Sequence, residues 1–172
     1  MTVRTRVELP SDAAETRRVH MAAFPGPEEA DLVDALRRDT AWLPALSLVA
    51  VDEREVVIGH ALLTRLKIGH GKGLALAPVA VAPEWQRKGV GAAVVRAALA
   101  AAAEAGESAV VVLGDPDYYG RFGFVPAAGH RISGPFEVPE AYFQVLALPG
   151  PDGTPQGLPH GVCRYPAPFA EV

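Results

Sequence analysis

Between Leu74 and Leu113 the apolar pattern changes period twice, and few folds accommodate that change. Leu74 to Val81 is a short β-type run that leads into Pro83 and a polar loop. Val90, Val94, Ala97, Ala98 and Ala101 then recur at helical spacing, and Val95 and Leu99 add apolar surface on another side. Such a helix is mostly buried, its alanines allow close approach to a sheet, and Gly106 supplies the stop. Ser108 to Leu113, with three consecutive valines, reads as a buried strand. Strand, glycine turn, buried helix, strand is a βαβ crossover, right-handed by the general rule, so the chain is of α/β type.

The flanking segments fit around that unit. Val3 to Leu9 reads as a strand ending at Pro10, and Asp12 with Glu15 resembles a capping box opening a helix toward Met21. Phe24-Pro25-Gly26-Pro27 breaks the chain, and a second helix follows with Leu32, Val33 and Leu36 on its apolar face. Ser47–Val51 and Val56–Leu66 form a hairpin around the polar turn Asp52–Glu55, and Gly69–Gly73 leads into the Leu74 run. Later, Pro116–Arg121 suits a short helix and Ala141–Leu148 a strand, with 149–159 a loop. No repeat divides the 172 residues, so one domain over 1–172 is expected.

Apolar residues make up 49% of the chain and charged ones 21%, enough for a folded core. The net charge of −4 argues against a nucleic-acid or membrane-surface partner, which would require a positive field. The lone Cys163 permits no internal disulfide, and the start from Met1 to Arg6 is charged and carries no secretory segment, so a cytoplasmic location is expected.

The chemistry-bearing segment is Val79-Ala80-Val81-Ala82-Pro83-Glu84-Trp85-Gln86-Arg87-Lys88-Gly89-Val90-Gly91. Two glycines stand at the mouth of a long helix, whose first amides lack internal partners and face outward with the positive end of the dipole. Glycine lets an anion approach that backbone, and Arg87 and Lys88 add charge, so a diphosphate suits the site. The same glycines also suit a bare strand-to-helix turn. No G-x-x-x-x-G-K-[ST] sequence is present, and Val94 occupies the place of the third glycine or alanine of a dinucleotide fingerprint.

Gln86-x-x-Gly89-x-Gly91 resembles the Q/R-x-x-G-x-G/A signature of the GNAT superfamily, the GCN5-related N-acetyltransferases. Tyr119-Gly120-Arg121-Phe122-Gly123-Phe124 is similar to its later Y-x-x-x-G-F element, in the right order along the chain. Val57-Ile58-Gly59-His60, Leu113-Gly114-Asp115-Pro116, Tyr118 and the tail from Tyr165-Pro166 to Phe169 look like the YhbS-type branch of that superfamily. The resemblance implies a GNAT fold, a mixed central sheet with splayed parallel strands flanked by helices. It further implies acetyl-CoA as cosubstrate, its pantetheine arm along Val79, Ala80 and Val81. Its diphosphate would be held by Gln86 and the backbone of Arg87, Lys88, Gly89, Val90, Gly91 and Ala92. Tyr119 is the implied general acid toward the leaving thiolate; the alternative is a packed aromatic that only orders the sulfur. The implied acceptor is a small-molecule or peptide amine, and a homodimer is common in the superfamily.

No carboxylate lies on Leu74–Val81 to act as base. Glu84 reads as solvated and Asp115 as a helix cap before Pro116. Histidines 20, 60, 70, 130 and 160 show no metal-binding spacing, so no metal is expected, and His60 in an apolar strand reads as a satisfied core or pocket-lining residue. Trp42, Phe24 and Phe143 read as core or cleft aromatics. A non-catalytic acyl-CoA-binding module is the alternative to an N-acetyltransferase, and another nucleotide-binding enzyme is a remoter one.

Overall fold

A computed structural model describes residues 3–171. Met1, Thr2 and Val172, which belong to the charged start and to the domain expected over 1–172, lie outside the described residues. Internal contacts divide the chain into two compact units, each built from separated segments. The first comprises the segments up to Thr64, Ala77–Ala101, and from Ala167 onward; the second comprises Arg65–Leu76 and Ala102–Pro166.

The first unit holds β1 (Arg4–Val7), α1 (Ala13–Ala23), α2 (Glu28–Arg37), β2 (Trp42–Val51) and most of β3 (Val57–Ile68), with the end of β4 (Gly71–Val81) and most of α3 (Val90–Glu104). β1 pairs antiparallel with β2 from Arg4↔Val51 to Val7↔Leu48, and β2 pairs antiparallel with β3. The turn joining β2 and β3 is set by Asp52, whose carboxylate accepts the N–H groups of Arg54 and Val56 at 2.8 and 3.0 Å. Val19 of α1 packs against Val49, Val51, Val57 and Ala80, and Leu32, Val33 and Leu36 of α2 pack with Leu62. These are the apolar positions at helical spacing meeting the alternate positions of the strands.

The expected capping box at Asp12 and Glu15 does not form. Asp12 makes no side-chain cap to α1. Its carboxylate instead takes the Leu9 N–H at 2.7 Å and both terminal nitrogens of Arg6 at 2.7 and 3.1 Å, closing a short 3-10 turn over Pro10–Asp12. Glu15 accepts the Val57 N–H at 3.0 Å, a long-range partner invisible to local spacing.

The second unit holds β5 (Ala109–Leu113), α4 (Pro116–Tyr119), β6 (Val125–Pro126), β7 (Ile132–Ser133), β8 (Phe143–Ala147) and β9 (Gly161–Arg164). β5 pairs antiparallel with β8 from Ala109↔Ala147 to Leu113↔Phe143, β6 pairs with β8, and β7 runs parallel to β9. Arg65 grips Glu107 with two hydrogen bonds of 2.7 Å, and Glu107 is otherwise buried. Hydrogen-bonded neighbours follow the order β1-β2-β3-β4-β5-β8-β6, a mixed sheet flanked by helices, as the α/β reading requires. β6, β7 and β9 carry two to four residues each, too few to show a period in sequence. Among the described residues no helix is long and apolar enough to cross a membrane.

Candidate active site

β4 and β5 pair in parallel at Leu74↔Val110 and Ala75↔Val111, the relation that the βαβ reading predicts. Pro78 follows three residues after Ala75 and has no N–H to contribute to a ladder. Val79 and Val81 are half-buried and Ala80 is buried, its side chain set against α1.

Beyond Val81 the chain turns in a 3-10 segment over Pro83–Trp85. Gln86 folds back so that its Nε2 donates to the Val81 carbonyl at 3.0 Å, which braces the turn from its strand side. Arg87 has φ 61° and Gly89 has φ 85°. A non-glycine residue in this left-handed region carries strain that the surrounding structure must hold, and such strain gathers at functional turns. α3 then starts at Val90, with the Ala93 N–H donating to the Gly89 carbonyl at 3.0 Å. The amides of Gly89, Val90, Gly91 and Ala92 precede that first helical bond and so have no carbonyl of α3 behind them. A Cβ at Gly89 would meet no atom within 4 Å, so the space beside that residue is open. Arg87 and Lys88 are exposed, and the Lys88 ammonium lies 5.7 Å from the Trp85 ring centre. Dipole, donors and charge together make an anion seat. Glu84 is exposed at its edge, as its solvated reading requires.

Tyr119 lies in the second unit, whereas Val79–Val81 and Gln86–Ala92 lie in the first. It ends α4, whose start is capped by Asp115 accepting the Asp117 N–H at 2.9 Å, which is the structural role expected of that carboxylate. The Tyr119 ring meets Tyr118 and Phe124 edge-on at 5.0 and 5.9 Å. A Cβ on Gly114 would come within 2.5 Å of the Tyr119 Cε2, so glycine is needed there for the ring to lie on the β5 end. Burial, with Tyr118 beside it, pushes the Tyr119 phenol up to about 12. A group so placed stays protonated at neutral pH, so it is available as a proton donor and not as a base. Cys163 is buried and its thiol is pushed up to about 11 by that burial, which leaves it inert.

The first unit also contains a buried polar network that sequence spacing did not reveal. Glu8 accepts two hydrogen bonds from Arg37, at 2.9 and 2.6 Å, and others from Thr16 and Ser47. Ser47 Oγ lies 2.8 Å from His60 Nε2, and His60 Nδ1 lies 2.8 Å from His20 Nε2. Ser47 has one proton, and Glu8 accepts it. His60 must then donate from Nε2 and accept at Nδ1, and His20 must donate from Nε2. His20 Nδ1 is left as a lone pair, buried and without a hydrogen-bond partner among the described residues. Burial holds both imidazoles neutral, His20 at about 3 and His60 at about 4. His60 is thus a satisfied core histidine, as its place in an apolar strand suggests. The other members are separated by up to 40 residues from their partners, and their only signal is a polar residue on an apolar face, such as Ser47 ahead of Leu48-Val49-Ala50-Val51. Among the described residues no three His, Cys, Asp or Glu side chains converge as a metal site would require.

The acetyltransferase (GNAT) family matches residues 13–124, a span that includes the strained turn, α3 and the Tyr119 segment. The uncharacterized N-acetyltransferase YjhQ of Escherichia coli K12 is 41% identical over 140 residues, covering 77% of this chain and 75% of YjhQ. The structure of the GNAT family N-acetyltransferase YhbS from Escherichia coli in complex with CoA superposes with a TM-score of 0.88 at 32% identity, over 98% of this chain and 92% of YhbS. A GNAT family acetyltransferase from Brucella melitensis in complex with acetyl-CoA gives a TM-score of 0.77 at 36% identity, over 98% of both chains. A family match across both motifs, with relatives similar over most of their length, leads to one conclusion: this chain belongs to the GNAT acetyltransferase family and is an N-acyltransferase enzyme.

Proposed function

We propose that this acetyltransferase moves the acetyl group of acetyl-CoA to a primary amine, acting as one domain in the cytoplasm. The observation that carries the proposal is the row of amides at the start of α3, unpaired within the helix and opened to an anion by the left-handed turn at Arg87 and Gly89. Those amides, from Arg87 to Ala92, hold the diphosphate, and Gln86 keeps the turn in register by its bond to Val81. The pantetheine arm pairs with the backbone of Val79, Ala80 and Val81 as an added strand would; the β4–β5 ladder at Leu74 and Ala75 stops short of these residues. The solved relatives from Escherichia coli and Brucella melitensis, which hold CoA and acetyl-CoA, support this choice of carrier.

In the transfer, the amine nitrogen attacks the thioester carbonyl carbon, and a strand amide near Val79 stabilises the oxygen that gains charge. The adduct's nitrogen loses its extra proton to water, the C–S bond breaks, and Tyr119 gives its phenolic proton to the departing thiolate. A phenol raised by burial to about 12 is recharged from solvent after each turnover.

Two measurements test the proposal. Calorimetry with acetyl-CoA, against NAD and ATP as controls, should show binding of acetyl-CoA alone. Thiol release with a panel of amines should show continuous turnover. Equal affinity for the three nucleotides, or binding with no turnover on any amine, would overturn it.

A further inference from the structure

Within the first unit, the start of α3 rests on β3 at a glycine. Gly59 of β3 is the register partner of Ala50 in β2, and Gly59, Ala50, Ala80 and Val90 are all buried. A Cβ on Gly59 would stand 3.0 Å from Val90 Cγ1, 3.4 Å from Ala50 Cβ and 3.5 Å from the Ala80 carbonyl oxygen. Carbon atoms pack best at ~3.5–4.0 Å, so the contact with Val90 is about 0.5–1 Å too close. Gly59 does not lie in the left-handed region. The backbone there accepts any residue; the space beside it does not.

The sheet on either side of Gly59 is fixed. β3 is laddered to β2 at Leu48↔Ala61, Val49↔His60 and Ala50↔Gly59. His60 is tied to β2 a second time by the 2.8 Å contact with Ser47. On the other side, the Ile58 carbonyl accepts the Ala82 N–H at 2.8 Å, just beyond the end of β4. Shifting β3 would break buried backbone hydrogen bonds, whereas shifting Val90 disturbs only packing. A methyl group added at position 59 therefore displaces Val90.

Val90 is the first residue of α3, and its amide is one of those that precede the Ala93–Gly89 bond. Lifting its side chain off the sheet carries the neighbouring amides with it. β4 stays in place, and with it the backbone of Val79–Val81. The two grips proposed for the carrier are thus spaced by the contact of Val90 with Gly59. A diphosphate and an arm joined covalently engage both grips together only when that spacing fits.

Resting on the proposed acetyl-CoA seat, we infer that Gly59 is a positioning residue for CoA: the room it leaves for Val90 sets how the diphosphate amides of α3 lie relative to the pantetheine strand β4.

The test uses the full chain, with CoA affinity measured by calorimetry and folding by urea denaturation. Gly59→Ala should raise the Kd for CoA about tenfold. Val90→Ala, which removes the two methyl groups that clash, should raise it less than about threefold, and the double variant should return to within about threefold of the unaltered protein. Val33→Ala, a core change on α2, should lower the urea midpoint and leave the Kd as it was. An unchanged Kd in Gly59→Ala overturns the assignment. So does a double variant whose loss is the product of the two single losses, or an equal loss of affinity in Val33→Ala. If Gly59→Ala does not fold, the double variant decides alone: folded and near the original Kd, it supports the assignment; unfolded or unable to bind CoA, it overturns it. Failure of the unaltered protein to bind CoA overturns the seat itself before any variant is compared, so the two failures are separable.

Discussion

Lowering the pH should destabilise this protein well before its carboxylates are protonated, because of the buried His20–His60 pair. Both imidazoles are fully buried, and their folded values of about 3 and about 4 lie below the ordinary 6.5. Desolvation is the first cause for both. The sign follows directly: the unfolded chain takes up two protons near pH 6.5 that the folded chain refuses. The stability that depends on this pair is complete above about pH 6.5 and drains away as the pH falls toward 4 and 3. Each refused proton lowers stability by about 1.4 kcal/mol per pH unit, so a shift from pH 7.5 to 5 removes about 2 kcal/mol per imidazole and about 4 kcal/mol together. That is a large part of the ~5–15 kcal/mol that holds an average domain folded. Glu8 does not offset the loss, since Arg37 and its other hydrogen bonds hold its carboxylate below the ordinary value, which also makes acid unfavourable. The assay is urea denaturation followed by circular dichroism at half-unit pH steps from 7.5 to 5. The midpoint should fall steeply over that range. In His20→Gln, which cannot charge, the steepness should drop by about half although the variant starts less stable. A flat midpoint between pH 7 and 5, or an undiminished slope in His20→Gln, would refute the argument.

Gly89→Val and Gly106→Val should separate strain from function. Both glycines have positive φ, 85° and 83°, and neither would bring a Cβ into contact, so each variant should lose about 1–2 kcal/mol. Only Gly89→Val should also weaken CoA binding, by at least tenfold in calorimetry, since only it lies at the start of α3. Tyr119→Phe should keep CoA affinity and lower kcat about 10²-fold; full activity across the pH range would remove the tyrosine from proton transfer. Arg65→Ala should cost about 3 kcal/mol in a denaturation experiment, because Glu107 would be left buried without its two-point partner.

What could be read from the sequence is what depends on neighbours along the chain. The period change from Leu74 to Leu113 is a local property, and the parallel pairing of β4 with β5 follows from it. The turn at Gln86–Gly91 was equally legible, because a helix start exposes its amides whatever it packs against. The cap at Asp115 also needs only its neighbours, and it forms as expected. The capping box at Asp12 and Glu15 had the right spacing and failed because the nearby Arg6 and Leu9 N–H take the Asp12 carboxylate and the distant Val57 amide takes that of Glu15. The same reason hides the Glu8–Ser47–His60–His20 chain: its members are brought together by the pairing of β1, β2 and β3 and by α1 lying across them. Arg87 in the left-handed region and the clearance between Gly59 and Val90 belong to this second class as well. Spacing along a chain specifies which residues can share a face or a turn, whereas burial, tautomer and the room beside a residue exist only once strands far apart in sequence have been laid side by side.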